Sequence, residues 1–451
     1  MLKVNDILEI SVDKNAKARY DQQKLIVKQA LPNETLKIKV EKVKKHEVEA
    51  KIIQIIKANP GRVKPKCKIY DHCGGCSLLH LDYQAQLVYK KQQLQKLTEL
   101  KVHDVVASEQ IWHYRNKIIL GFKSVGKKIV AGLYEEDSHK IIPYDSCLLH
   151  DPLSDEIVQT ICSLIAKYKI SIYDEDQRTG LFRHVLIRKG HYTNEYLVVL
   201  VLSNPKFVAR NQFIKELRAS HPQITTIVQN INKRATSIVL QDEERVLYGK
   251  GFINDKILGH TFKISARSFF QINVLQAEQL YTKAIDLLQL QKQECLLDAY
   301  CGTGTIGICA AAKVKMVIGV EANKQAVKDA ITNAKINKIQ NTTFYHDDAT
   351  SFIQECAKNK VKIDAIIMDP ARDGSTYKFI EAIAKLNVTK IAYISCNPLT
   401  QLRDLKWFKQ FGYTFKEMFL YDMFCHSNHL ESIVLITKEG KKHGKDKNSK
   451  R

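Results

Sequence analysis

No run of eighteen apolar residues occurs anywhere in the chain, which excludes a membrane-spanning helix. The N-terminus, MLKVNDILEI, lacks the succession of basic stretch, apolar stretch and small-residue cleavage site that marks a secretory signal, so the cytoplasm is the expected compartment. No segment repeats at a fixed period, and neither a lipidation motif nor a basic amphipathic helix stands out. Acid is scarce as well. Over 451 residues, 48 Asp and Glu face 70 Lys and Arg, leaving a formal charge of +22. That imbalance implies a polyanionic partner, with nucleic acid ahead of a membrane surface. The eleven cysteines are odd in number and scattered. A secreted disulfide framework is thereby excluded, and metal or catalytic roles are left for any that cluster.

The positive charge is concentrated at the two ends. Residues 1–66 hold 16 Lys and Arg against 8 Asp and Glu, and the last fourteen residues hold 7 against 2 without one apolar side chain. A segment that cannot bury a face stays unfolded, so 439–451 is expected to be a disordered basic tail.

Three sections precede that tail. Residues 1–58 alternate apolar and polar side chains in the runs ILEISV, KLIVKQA, TLKIKVEKV and EVEAKIIQIIK, which predicts a small five-stranded β-barrel. The segment NPGRVKPKC (59–67) breaks regular structure and reads as a linker. Residues 67–265 are mixed α/β: a helix over 84–100, then strands at 195–203 and 225–231. From 266 to 438 apolar strands at 296–300, 317–321, 342–346, 364–369, 391–395 and 431–437 alternate with helical stretches. This pattern predicts a parallel, doubly wound, Rossmann-like sheet.

Chemistry gathers at the carboxyl ends of those strands, where open α/β sheets bind ligands. Gly302-Thr303-Gly304 makes a turn between the first strand and its helix, and Asp298 precedes it. Glu321 ends the second strand, nineteen residues after Gly302, where a carboxylate can accept both hydroxyls of a ribose. The single G-x-G with two carboxylates suits S-adenosylmethionine better than a dinucleotide, because a sulfonium and an ammonium need no pyrophosphate cradle. Asp348, Asp369-Pro370 and Ser395-Cys396-Asn397-Pro398 close the next three strands. Cys396 leads from a buried strand into Asn-Pro, so it is poised at a cleft and is the candidate nucleophile. Glu431 begins an otherwise apolar strand, where desolvation would raise its pKa as a proton acceptor needs. A second cluster, Cys67-x5-Cys73-Gly-Gly-Cys76 with a distant Cys147, is a metal-binding arrangement. Its four thiolates suit tetrahedral zinc or an iron–sulfur cluster alike.

Ser-Cys-Asn-Pro at 395–398, Asp-Pro-Ala-Arg at 369–372, Phe269-Phe270-Gln271-Ile272-Asn273 and the D-x-F…H-x-E run from Asp422 to Glu431 together resemble the RNA uracil-C5 methyltransferases, class I adenosylmethionine-dependent enzymes. Within them the chain is most similar to the iron–sulfur branch acting on 23S ribosomal RNA. The resemblance implies Cys396 as nucleophile and Glu431 as proton acceptor. It implies Gln271, Tyr300, Glu321 and Asp369 around adenosylmethionine and uracil, with Thr305 and Asp348 as further cofactor contacts. It implies a [4Fe–4S] cluster on Cys67, Cys73, Cys76 and Cys147, zinc remaining the alternative. A monomer acting on RNA is expected, 23S ribosomal RNA ahead of tRNA. The first 58 residues are similar to TRAM, an OB-like RNA-binding barrel, but Lys14–Arg19 lacks the glycines usual in its first hairpin. Tyr114-Arg115-Asn116-Lys117 also matches a family motif. Cys425 and Ser427 stand where the family has Pro and Thr, which puts the rigidity of the loop before Glu431 in question.

Overall fold

The computed structural model describes residues 2–438 apart from 22, 127, 136, 137, 139 and 235–237, so the expected tail at 439–451 lies outside the described residues. Strands Ile7–Ser11, Ala18–Tyr20, Gln23–Val27, Thr35–Val43 and Glu47–Lys57 form one sheet in the order first, fourth, fifth, third, second. The first and second strands, at opposite ends of that order, come together, so the sheet curls into the expected barrel. Leu36, Ile38 and Val40 are wholly buried while Lys37 and Glu41 between and beside them face out, the period of two that set the register. The short strand Ala18–Tyr20 was not legible in the sequence. Its hairpin needs no glycine: Asp13 Oδ1 accepts from the N–H groups of Asn15 at 2.7 Å and Lys17 at 2.8 Å, and Ala16 takes the left-handed conformation with φ 58°.

A seven-stranded sheet follows, in which Phe182–Lys189 and Tyr196–Leu202 are central. Both its faces are covered. Tyr196, Val198, Leu200 and Leu202 pack on the helices Pro152–Lys167 and Arg210–Ser220. Leu197, Val199 and Val201 join the core of the C-terminal sheet. Burial on both sides explains a strand that is apolar at every position.

The C-terminal sheet has eight strands in the order Thr342–His346, Met316–Glu321, Cys295–Ala299, Ala365–Met368, Lys390–Ser395, Glu431–Thr437, Glu417–Tyr421, Lys101–Val106. All pairings are parallel except those of Glu431–Thr437, which runs against both neighbours. The expected doubly wound sheet is therefore present, with two strands the sequence did not reveal. Lys101–Val106 also corrects the boundary drawn at 265. Together with the helix Tyr83–Gln95 it belongs to this sheet, burying Leu87, Leu94, Val102 and Val105 beside Leu420 and Val434. Its partner strand lies more than three hundred residues downstream, and local periodicity carries no information about such a pairing. Among the described residues no helix is long and apolar enough to cross a membrane.

Candidate active site

The first strand of the C-terminal sheet runs into Tyr300, which adopts φ 64°, and then into Gly302 and Gly304 at φ 54° and 76°. A Cβ on Gly304 would stand 2.9 Å from the Phe344 ring, so the turn demands glycine on conformation and space together. Glu321 sits at the next strand end. Its Oε2 accepts from Gly302 N–H at 3.1 Å and its Oε1 from Asn323 N–H at 2.7 Å, which aims the carboxylate across the turn. Gly302, Glu321, Asn323 and Phe269 border a cavity of about 140 Å³, over which the Phe269 ring stands 62% exposed. Asp298 is not part of that lining. It is buried, accepts from Gly307 N–H at 2.7 Å, and braces the turn from behind; burial pushes its carboxyl up to about 7. Tyr300 Oη and Ser375 Oγ are 3.0 Å apart. Thr305 pairs its hydroxyl with that of Thr303 at 3.2 Å, and Asp348 caps the helix Ala349–Lys358 through Ser351 N–H at 3.0 Å. Burial pushes the Tyr300 phenol up to about 12, and the charge of Asp348 adds to the shift.

The nucleophile and base candidates are brought together by strand register. Lys390–Ser395 and Glu431–Thr437 pair antiparallel, from Lys390 opposite Thr437 to Ser395 opposite Ser432. One step further along the same register, Cys396 falls across from Glu431, on the same side of the sheet. Glu431 is 3% exposed and its Oε2 has no hydrogen-bond partner. Burial, and then the negative charge of Asp369, push its carboxyl well above the ordinary range, against the pull of Arg372. Burial likewise lifts Asp369 to about 7. The Cys396 thiol is pushed up to about 11 by burial, with Glu431 and Asp369 adding to the shift and Arg372 opposing it. Cys396, Arg372, Asn397 and His429 border a second cavity of about 280 Å³, walled on its far side by Tyr89 of the helix Tyr83–Gln95.

Two members of this group were missed by sequence reasoning. Tyr281, 3% exposed on the helix Val274–Leu287, has its phenol beside Asp369, Gln271 and Glu431, whose surroundings raise its pKa strongly, burial most of all. Nothing local distinguishes it from a core tyrosine. Arg372 lay inside a recognised motif but had no assigned part.

The loop before Glu431 is firmly held despite Cys425 and Ser427. Lys90 forms a buried ion pair with Asp422 at 2.5 Å and donates to His429 O at 3.1 Å. Gln86 bonds both the backbone N–H and the ring Nδ1 of His426, whose ring stacks on Trp112 at 4.0 Å. Cys425 is fully buried, and Ser427 Oγ donates to Phe424 O at 2.8 Å.

Cys67, Cys73, Cys76 and Cys147 also converge. All are free and half-buried. Burial raises the thiols of Cys73 and Cys76; Cys73 also feels the charges of Cys67 and Cys147, Cys76 those of Cys67, Cys73 and Cys147, and Arg115 opposes the shift in both. Cys73 Sγ accepts from Gly75 N–H at 3.3 Å. Burial would raise the Cys147 thiol, but the hydrogen bond and charge of His150 outweigh it and hold Cys147 below its ordinary value. Among the described residues no group of three or more His, Cys, Asp or Glu is drawn tightly enough to hold a metal ion.

A glycine turn with a facing strand-end carboxylate, on a doubly wound sheet whose other strand ends carry a thiol and two carboxylates, defines an adenosylmethionine-dependent methyltransferase. Comparison with known proteins narrows the class. The family described as tRNA (uracil-5-)-methyltransferase matches residues 82–439, and the chain belongs to it. An uncharacterised RNA methyltransferase of Listeria innocua is 37% identical over 97% of this chain and 99% of its own length. One from Staphylococcus aureus is 37% identical over 96% and 98%. Among solved structures, the tRNA (uracil-54, C5)-methyltransferase of Pyrococcus abyssi in complex with S-adenosyl-L-homocysteine superposes with a TM-score of 0.76 at 26% identity, covering 95% of this chain and 100% of that one.

Proposed function

We propose that the protein forms 5-methyluridine in RNA by adding the Cys396 thiolate to C6 of a uracil. The observation that carries this reading is the strand pairing that, continued by one residue, brings the Cys396 thiol to a buried carboxylate with one partnerless oxygen, whose charge it feels. C5 of uracil is a weak nucleophile; addition of sulfur to C6 moves electron density onto C5. Bound adenosylmethionine would supply the methyl group, the C5–methyl bond forming as the sulfonium–methyl bond breaks and S-adenosylhomocysteine leaves. A thiol at about 11 gives up its proton at neutral pH only to a nearby base, and Asp369, at about 7 and within reach of its charge, is proposed to take it. Arg372 favours both anions. Glu431, a strong base for a carboxylate once ionised, then accepts the C5 proton, and elimination of Cys396 restores the C5–C6 double bond. Glu321 is proposed to hold the ribose of the cofactor, with Gln271, Tyr300, Thr305, Asp348 and Asp369 around the rest.

The four thiols are proposed to carry a [4Fe–4S] cluster that ties the linker to the segment around Cys147. The C-x5-C-x2-C run with the remote Cys147 is similar to the family's cluster site, and the positive charge of Arg115, felt by Cys76 and Cys147, suits a group of net negative charge. Zinc on the same thiolates is the alternative. The barrel of residues 1–58 is proposed to grip RNA phosphates, the whole acting as a cytoplasmic monomer. The similarity of the four-cysteine section points to 23S ribosomal RNA as substrate. The printed activity of the Pyrococcus abyssi protein favours tRNA as a second reading. Mass mapping of 5-methyluridine in ribosomal RNA and tRNA from cells lacking this protein decides between them. Loss from neither RNA refutes the proposal.

A further inference from the structure

Among the described residues, buried and half-buried cations have carboxylate partners almost throughout. Arg62 meets Glu34, Lys90 meets Asp422, Lys390 meets Glu294 and Lys189 meets Asp151. Lys117 and Arg188 break that pattern. They stand directly opposite one another on the antiparallel strands Lys117–Val125 and Phe182–Lys189, two like charges in register, an arrangement that weakens a sheet unless something compensates it. Among the described residues neither is in an ion pair, and the charges acting on Lys117, those of Arg188 and Arg115, are both positive. Arg188 is 4% exposed; its Nη2 donates to Ser268 O and to Ala266 O, yet its Nε has no partner. Arg115 adds a third cation with an orphaned Nε, facing thiols and not carboxylates.

The position of this cluster gives it a meaning. Asn116, between Arg115 and Lys117, donates from Nδ2 to Gln271 O at 2.8 Å and from its backbone N–H to Ile272 O at 3.0 Å. Arg188 grips the carbonyl of Ser268 at the start of the same segment. Arg188, and Asn116 beside Lys117, therefore back the segment 268–272, whose Gln271 acts on Tyr281, the phenol that also feels Asp369 and Glu431. Burying uncompensated charge is costly, so a cluster like this is kept where an anion arrives to neutralise it.

We infer that Lys117 and Arg188 form a receptor for one backbone phosphate of the RNA strand that carries the target base. This rests on the RNA reading above. A phosphate there brings the missing negative charge, and it positions the strand without reading its sequence. The site also couples binding to the catalytic segment, because Arg188 holds Ser268 O and Asn116, next to Lys117, holds Gln271 O and Ile272 O.

The test uses the full-length protein, an in vitro transcribed hairpin with uridine in its loop, and Lys117→Met and Lys117→Arg. The expected result for Lys117→Met is RNA affinity reduced about tenfold, with the slope of log K against log salt shallower by about 0.7–0.9, one phosphate's worth. Its adenosylmethionine affinity should be unchanged and its Tm raised, since a repelling buried charge has gone. Lys117→Arg should keep the salt slope. An unchanged slope and a lowered Tm in Lys117→Met, with normal wild-type binding, overturn this site alone. Wild-type protein with no salt-dependent RNA binding overturns the substrate reading as well. A thermal shift by inorganic phosphate that Lys117→Met abolishes, with RNA binding unaffected, assigns the site to a free anion and overturns the strand assignment.

Discussion

The N-terminal barrel and the crevice of the methyltransferase sheet treat a buried glutamate in opposite ways. Glu34, 1% exposed at the barrel's exit, has both oxygens engaged: Arg62 binds each, Leu31 N–H donates at 2.9 Å and Asn59 N–H at 3.1 Å. Burial by itself would raise this carboxyl, but these donors outweigh it and hold it below its ordinary value. Glu431 is as deeply buried, lies beside a second carboxylate, and has one oxygen without any partner. The first residue is an anchor, stable as an anion. The second is held ready for a proton. Equal burial with unequal satisfaction separates scaffold from reactive site, and exposure alone would not have separated them.

The largest effect should come from the crevice. Cys396→Ala removes the atom that bonds to the base, so turnover should fall by at least about 10⁴-fold with no denaturation-resistant protein–RNA species on a gel. Detectable methylated product at the wild-type rate would remove Cys396 from its role. Glu431→Gln should lower turnover by about 10²–10⁴-fold, but by stalling elimination. With labelled methyl donor it should accumulate a shifted, labelled protein–RNA band that Cys396→Ala never shows. Because burial disfavours the ionised form of Glu431, the substitution should raise the Tm at pH 8 and leave it nearly unchanged at pH 5.

Glu34→Gln tests the other half of the comparison. Removing one partner of a buried ion pair leaves Arg62 uncompensated and should cost about 3 kcal/mol, seen as a lowered unfolding midpoint with adenosylmethionine affinity preserved. Loss of cofactor binding in parallel would mean that barrel and catalytic sheet unfold as one unit. The pH dependences should also have opposite signs. Glu34 is depressed in the folded state, so its contribution is complete above the unfolded value of 4.5 and is lost as pH falls through the folded value. Asp298 and Asp369 are raised to about 7, and Glu431 also lies above its ordinary value. The folded state therefore holds extra protons, and their region loses stability as pH rises from about 4 through 7. Hydrogen exchange should show residues 1–58 losing protection between pH 5 and pH 3, and residues 390–437 losing it between pH 5 and pH 8. Asp369→Asn removes the proposed acceptor of the Cys396 proton, so turnover should fall, and it also takes one negative charge from beside Glu431. The smallest expected effect is on the pH profile. The acid limb of the kcat/KM profile should move to lower pH, and an unmoved limb would dissolve the proposed coupling.

Much of this was legible before any coordinates. The strand-end positions of Cys396, Asp369 and Glu321 follow from short apolar runs, because a parallel sheet buried on both faces leaves polar residues only where strands stop. The rigidity of the loop before Glu431 was not legible. Cys425 and Ser427 suggested a looser loop, and the clamps that hold it, Gln86, Lys90 and Trp112, come from more than three hundred residues upstream. The same distance in sequence hid the eighth strand, Lys101–Val106.

The sequence by itself determined the β-barrel, the doubly wound sheet, the glycine turn and which residue types stand at the strand ends, since period, turn chemistry and composition are local properties. Only the tertiary structure decided which charges would meet. It took Asp298 out of the cofactor cavity, put Tyr281 beside the carboxylate pair, satisfied Glu34, left Glu431 open, and set Lys117 against Arg188 with no anion between them. Desolvation and Coulomb interaction depend on neighbours in space, and those neighbours are supplied by strand pairings that span most of the chain.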